Sequence, residues 1–392
     1  MPDLLSILTG LAWPFAIVVA WLAGEFGSRW TGLPRISFYG LVGFALASNQ
    51  VGVLPPMSAG PVLALADVAF GLILFELGYR INLRWLRTNP WLGVAGIVES
   101  ASTFAAVYLV ATAFGAAVMS ALMLASLAMS TSPAAVVRVV NEMRGSGQVT
   151  ERVLHLTALN CVLSVFTFNI VVGFWIFHSS ADLGGAAVNS LVALLKSGVV
   201  GAIFGVAVPA LLRHLGKSST DATVAFALAV ILLVSVTYAT RLSPVVATLA
   251  FGLAARHGRI AFPQAQRNFG ALGELLTVLL FVFAASNLDW AAVVAGALLA
   301  LAVVGARLFT KTLGVALFSH LSGISWRKGA LTGLALAPAS VFIVLLLEHA
   351  RLAGVDVLEE LRAMAAVILL LEVAGPIIVQ RALLWASEAR EA

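Results

Sequence analysis

Residues 127–140 read LAMSTSPAAVVRVV and residues 331–346 read LTGLALAPASVFIVLL. Both are apolar runs of the kind that cross a bilayer, and each has a proline inside it, Pro133 and Pro338. A proline within a helix donates no backbone bond and frees the carbonyl four residues back, here Met129 and Leu334. Lipid cannot satisfy such groups, so a break persists only where it is buried in protein or lines a cavity. Taken singly, each break reads as a packing kink. Taken together, with small and polar residues around both, they read as corresponding segments of two repeated halves, the arrangement that marks a binding site in secondary transporters.

The rest of the chain agrees with this class. Of 392 residues, 61% are apolar and 10% charged, where a soluble domain carries about a quarter charged residues. That excludes a soluble enzyme, a disordered protein and a nucleic-acid binder, because the basic residues lie in short loops between apolar runs. A single cysteine, Cys161, excludes an internal disulfide and a multi-Cys zinc site, and no cofactor is expected. The opening MPDLLSILTG lacks the basic region of a signal peptide and reads as the first membrane helix. SEAREA reads as a short tail, with no soluble regulatory domain expected.

At about 20 apolar residues per crossing, thirteen segments emerge: 4–24, 36–54, 61–80, 90–114, 117–141, 152–177, 185–212, 220–240, 243–256, 269–287, 290–319, 326–349 and 360–386. The fold class is therefore an all-α polytopic membrane protein. Its repeats are expected at about 1–177 and 220–388, joined by a linking helix at 185–212. The breaks fall in segments 5 and 12. The ninth segment is short, and Leu242-Ser243-Pro244 divides it only weakly from the eighth. Lys and Arg favour cytoplasmic loops, and alternate loops carry them: Arg29 and Arg35; Arg80, Arg84 and Arg87; Arg138, Arg144 and Arg152; Arg213 and Lys217; Arg256, Arg259 and Arg267; Arg327 and Lys328. The intervening loops offer mainly Asp182, Arg241, Asp289, Arg351 and Asp356, and the tail adds Arg381 and Arg390. This alternation places the N-terminus outside and the C-terminus in the cytoplasm, across an inner (plasma) membrane.

Ionisable residues within the bilayer are costly and mark function by default. Asp67 and Glu76 share the third segment on opposite faces; Glu76 is either a site residue or the partner of Arg80 one turn on. Thr157, Asn160, Ser164 and Thr167 form a polar stripe on the sixth segment, while Ser126, Ser130, Thr131 and Ser132 bring hydroxyls to the fifth. These hard oxygen donors suit an alkali cation or a neutral solute. Glu99 reads as an interhelical hydrogen-bond partner or a site residue; Lys196, Arg307 and Lys311 read as snorkelling cations. Glu274 and Glu372 read as salt-bridge residues, Glu348 and His349 as lying at the outer surface, and His155 as structural.

Four stretches resemble the monovalent cation/proton antiporter superfamily, of the sodium/proton exchanger type. LADVAFGLILFELGYRINLRWLR (65–87) is similar to its third helix, with Glu76 in the FE-x-G pattern. MSTSPAAVVRVVNE (129–142) resembles the broken fifth helix, LTALNCVLSVFTF (156–168) the sixth, and LLLEVAGPIIVQRALLWASE (369–388) the last. The resemblance implies two inverted repeats, crossing helices 5 and 12, a core that moves like an elevator against a scaffold, and a homodimer. It also implies a monovalent cation and a proton as substrates, with Glu76, Thr131, Ser132, Asn160, Cys161 and Ser164 as the ion and proton site. The cation would sit at Glu76, Thr131 and Asn160.

Where the family carries the sixth-helix Asp, this chain has Cys161. Ser132 stands where an Asp often precedes the fifth-helix proline, and Leu156 where some members carry a Glu. A basic residue on the eleventh helix is retained, as Arg307 or Lys311. A buried cation needs a counter-charge, which leaves Glu76, Glu99 or the solute. Asp67, Glu99, Arg307 and Lys311 are accordingly secondary site candidates, and antiport in this reading rests on Glu76. Two other readings remain open: the same scaffold moving another solute or lacking proton coupling, and a non-transporting membrane sensor or partner subunit.

Overall fold

The computed structural model describes residues 4–55, 61–176, 183–214, 219–257, 263–352 and 358–389. Among these it is helical throughout and contains no strand. The first half runs α1 (Leu4–Thr31), α2 (Arg35–Leu46), α3 (Pro61–Arg80), α4 (Leu83–Thr88), α5 (Pro90–Ala113), α6 (Val118–Ala128), α7 (Pro133–Glu142) and α8 (Gln148–Ile176). After α9 (Leu183–His214) come α10 (Ser219–Ala239), α11 (Pro244–Arg256), α12 (Pro263–Ser286), α13 (Trp290–Ala295) and α14 (Ala297–Leu317). The chain closes with α15 (Trp326–Leu334), α16 (Ser340–Leu352) and α17 (Leu358–Trp385). Eight helical stretches among the described residues are long and apolar enough to span a membrane, and Arg35–Leu46, Pro244–Arg256 and Gly273–Ser286 are shorter apolar helices.

Every expected segment coincides with a helix or a broken pair, with three departures. The second segment stops at Leu46, where Ser48-Asn49-Gln50 turn the chain and Leu54 N–H closes back on the Leu46 carbonyl. The eleventh is divided at Gly296 into α13 and α14. The short α4 was not expected; Asn82 starts it by accepting from the amides of Arg84 and Trp85.

The prolines of the fifth and ninth segments start helices and do not kink them. Ser132 caps α7 by accepting from the Ala135 amide, and Pro133 occupies its first turn, where a missing N–H costs nothing. Ser243 and Pro244 repeat the device at α11, so the weak divider is a helix boundary.

The helices pack as two groups. In one, α5 lies along α14, and α6/α7, α8, α15/α16 and α17 surround them. In the other, α11 is wedged between α9 and α3, joined by α10, α12, α2 and α1. Small residues let backbones meet where no hydrophobic effect drives them together: a Cβ on Gly252 would stand 2.1 Å from the Phe75 carbonyl oxygen. The groups touch along α2–α17, α3–α7, α12–α16 and α8–α9. Leu195, Val199, Ile203 and Val206 leave the outer face of α9 apolar and exposed, as a lipid-facing helix requires.

Candidate functional site

The two breaks meet at the centre of the first group. Ser132 N–H donates to the Pro338 carbonyl at 2.7 Å, and Thr131 Oγ1 donates to the Leu336 carbonyl at 3.2 Å. Each break ends one half-helix and leaves carbonyls unpaired, a concentration of negative partial charge. Two side-chain cations one turn apart on α14 take them up. Arg307 donates to the carbonyls of Ala128 (2.9 Å), Ser130 (2.5 Å) and Leu336 (3.2 Å), and also to that of Ala337. Lys311 Nζ donates to the Met129 carbonyl at 2.9 Å. Met129 is thus freed as the sequence predicts. Leu334 is not, because the Ala337 amide closes a turn onto its carbonyl.

Lys311 also meets a carboxylate. Glu99 of α5 places Oε2 at 3.1 Å and Oε1 at 3.4 Å from Nζ, and both residues are 0% exposed. Asn160 donates to Glu99 Oε1 at 2.5 Å and to Thr131 Oγ1 at 3.2 Å, and accepts from Ser100 Oγ at 3.1 Å. The pair forms because α5 and α14 approach closely: a Cβ on Gly314 would sit 2.6 Å from Glu99 Cβ. Cys161 Sγ donates to the Thr131 carbonyl at 3.3 Å and Ser164 Oγ to the Ser126 carbonyl at 2.8 Å. Thr131, Ser132, Asn160, Cys161 and Ser164 therefore converge, and of the secondary candidates Glu99, Arg307 and Lys311 join them.

Arg307 and Lys311 are fully buried and do not snorkel, whereas Lys196 is exposed. Glu76 is not brought to this centre. It pairs with Arg80 at 2.8 Å and accepts from Asn141 Nδ2 at 3.0 Å, with Arg80 also bonded to Asn141. There it lines a cleft between α3, α7 and α12 together with Ala134, Arg138, Asn141 and Thr277. The expected joint set of Glu76, Thr131 and Asn160 thus separates into two places, because Glu76 lies one turn from the end of α3 while the break lies at the start of α7. Asp67 is a hydrogen-bond partner of Tyr238 on α10, within the second group.

Beside the cleft, Arg35 reaches Glu25 (2.8 Å), Glu142 (3.5 Å) and Glu274 (3.5 Å), and Arg138 pairs with Glu274. Glu274 therefore has its expected ion pair. Glu372 does not: it is 0% exposed and neither carboxyl oxygen has a hydrogen-bond partner. Glu348 is buried rather than at an outer surface. His155 is structural, holding the Asn82 amide and the Glu151 carbonyl. The side chains of Asp182, Lys217, Arg259, Arg267, His349, Arg351, Asp356 and Arg390 lie outside the described residues. Sequence reasoning missed Ser100 and Asn141. Ser100 adjoins Glu99 in sequence, a signal that was legible; Asn141, at the end of an amphipathic half-helix, carries none.

Membrane-length helices, two of them broken and crossing over a buried ion pair, define the scaffold of a secondary membrane transporter and not of an enzyme. The chain belongs to the sodium/hydrogen exchanger family, whose transmembrane domain description (sodium/hydrogen exchanger, transmembrane) matches residues 15–385. Its fold is similar to that of a solved sodium proton antiporter, MjNhaP1 from Methanocaldococcus jannaschii at pH 8. The TM-score is 0.70 at 16% identity, covering 98% of this chain and 96% of that one. No curated protein matches it by sequence.

Proposed function

We propose that the chain exchanges a monovalent cation for a proton at the Glu99–Lys311 pair, with Asn160 and Thr131 completing the cation's oxygen shell. The observation that carries this reading is the buried pair itself: α5 supplies the carboxylate that α8 lacks at Cys161. A cation reaching Glu99 displaces the Lys311 ammonium, which releases its proton to water as the neutral amine. One positive charge enters and one leaves, so exchange at this site is one for one and electroneutral. Arg307 holds the crossing together and does not titrate in the cycle. Glu76 and Arg138 line the access cleft, which reaches Ala134, next to the break.

Paired packings support two inverted repeats, 1–177 and 220–388: α2–α12 mirrors α11–α3, α5–α6 mirrors α14–α15, and α3–α7 mirrors α12–α16. The same division supports an elevator-like movement of the α5–α8 and α14–α17 core against the other helices. By family likeness we place the chain as a homodimer with thirteen crossings in the plasma membrane, its N-terminus outside. In liposomes, Glu99→Gln is expected to abolish cation-driven proton release, while Glu76→Gln slows it without uncoupling it. Full exchange in the Glu99 variant would move the site elsewhere, to Glu76 if that variant alone were inactive.

A further inference from the structure

Among the described residues, the carboxylates of Glu25, Glu76, Glu99, Glu142, Glu274 and Glu388 all hold a cation or several donors. Glu372, midway along α17, holds none. Its side chain is fully enclosed with both oxygens unpartnered. The enclosure is shaped for it: a Cβ on Gly40 of α2 would stand 2.6 Å from Glu372 Cγ and 2.8 Å from Cδ and Oε1. One turn before Gly40, Ser37 Oγ donates to the Val373 carbonyl at 2.9 Å and clasps α2 to α17 at this level. The niche therefore lies on a seam between the two helix groups, one turn from the place where Gly375 packs on Pro338 of the crossing.

An isolated carboxylate without donors costs far more to bury than a neutral carboxylic acid, and unsatisfied buried groups in native proteins call for an explanation. Among the described residues no counter-charge is at hand. From α2 the facing groups are Gly40 and Ser37, with Tyr39 turned toward Gly24 of α1. From α14 the cations Arg307 and Lys311 are committed to the break carbonyls and Glu99. On α12, Glu274 is held by Arg35 and Arg138; on α7, Arg138 and Glu142 belong to that same set; on α15, Lys328 holds Glu388. On α16, Glu348 is already partnered. Among the described residues no side chain donates to either oxygen of Glu372.

We propose that Glu372 gates the sliding of α17 against α2 by its own protonation, seated as the neutral acid in the Gly40 niche of the α2–α17 seam. A slide of α17 past α2 by one turn, about 5.4 Å, takes the carboxyl off Gly40 to the level of Ile36 or Phe44, which stand four residues either side of it on the same helix face. Its O–H then opens to water, the proton passes to a water molecule and a hydrated carboxylate remains; the return slide requires a proton from water. The proton is released and regained in the same opened position, so Glu372 leaves the one-for-one exchange at Glu99–Lys311 unchanged and makes the return slide wait on its protonation. This rests on the exchanger reading.

Two measurements separate the proposal from that reading. In reconstituted protein, infrared spectra at neutral pH are expected to contain the carbonyl stretch of a buried carboxylic acid, lost in Glu372→Gln. This readout needs no transport. In liposomes with an imposed sodium gradient, Glu372→Gln is expected to leave the proton-to-cation ratio unchanged and to remove one titrating group from the pH profile of the rate. Glu372→Met, of similar volume, serves if the Gln variant does not accumulate, and is expected to fold as the wild type does. An acid band that survives in both variants, or a wild-type pH profile of the rate in both, would overturn the role of Glu372 while leaving exchange at Glu99 intact. Absence of proton movement in wild type together with loss of the acid band in the variants would instead count against the exchanger reading alone.

Discussion

The two ends of α7 hold buried charge in different ways. At its first turn, the break centre gathers Arg307, Lys311, Glu99 and Asn160, all 0% exposed and all from helices of one group. At its last turns, Arg138, Asn141 and Glu142 reach across to Arg35, Glu76 and Glu274 of the other group. The side chains of Glu76, Glu142, Glu274 and Arg35 are there 10%, 15%, 26% and 33% exposed. The centre joins halves of one body through the backbone carbonyls of the two breaks. The seam joins two bodies through carboxylates that water can partly replace. Substitutions at the first should therefore cost fold and binding, and those at the second should, under the proposed elevator-like movement, shift which arrangement of the groups is populated.

Arg307 provides the sharpest contrast. Arg307→Ala strips donors from carbonyls of both breaks at once, and the expected loss lies at the upper end of the roughly 3–5 kcal/mol seen when one member of a buried charged network is removed. Arg307→Lys should recover only part, since a single ammonium cannot fork between breaks as a guanidinium does. Thermal unfolding in detergent reads both. A loss no larger than that of a seam variant would erase the distinction between the two ends of α7.

Next come Lys311→Met and Glu99→Gln. Each single change leaves a buried partner unsatisfied and should destabilise by about 3 kcal/mol, whereas the double variant should be more stable than their sum, because the residual unpaired charge disappears. Additive losses would mean that the pair is not a coupled unit. Gly314→Ala acts on the same pair through packing: its methyl would collide with Glu99 Cβ, for an expected cost of about 1–3 kcal/mol and a weakened cation response in the same transport assay.

The comparison also explains what could be read from sequence. Pro133 and Pro338 announced the breaks because proline chemistry is local, whereas Ser132, read as a hydroxyl at the break, and Ser243, read as part of a weak divider, were not recognised as the helix caps they are. Asn160 and Ser164 were legible from the spacing of one helix face, and Thr131 from its place beside the break at Pro133. The partner of Lys311 was not: Glu99 is 212 residues away, and only the packing of α5 on α14 chooses it over Glu76. Glu372 was misread for the converse reason. Sequence displays a charge but not the absence of a partner, and Gly40, which makes its niche, lies on another helix.

The smallest effect is expected at the seam, and its sign carries the argument. Glu274→Gln removes the carboxylate shared by Arg35 and Arg138, yet both arginines keep partial access to water and Arg35 retains Glu25 and Glu142. Partly exposed ion pairs contribute about 0.2–1 kcal/mol and are screened by salt. Global unfolding should therefore move little. In the proposed elevator-like movement the same energy weighs directly on the balance between arrangements of the two groups, where about 1.4 kcal/mol is a tenfold population change. Glu274→Gln should thus alter the exchange rate several-fold at low ionic strength, with wild type and variant converging as salt is raised. Paired cysteines placed across α7 and α12, followed by spin-label distances, would register the shift. A variant that unfolded early, or whose rate difference ignored salt, would show that the last turns of α7 are structural in the same sense as the first.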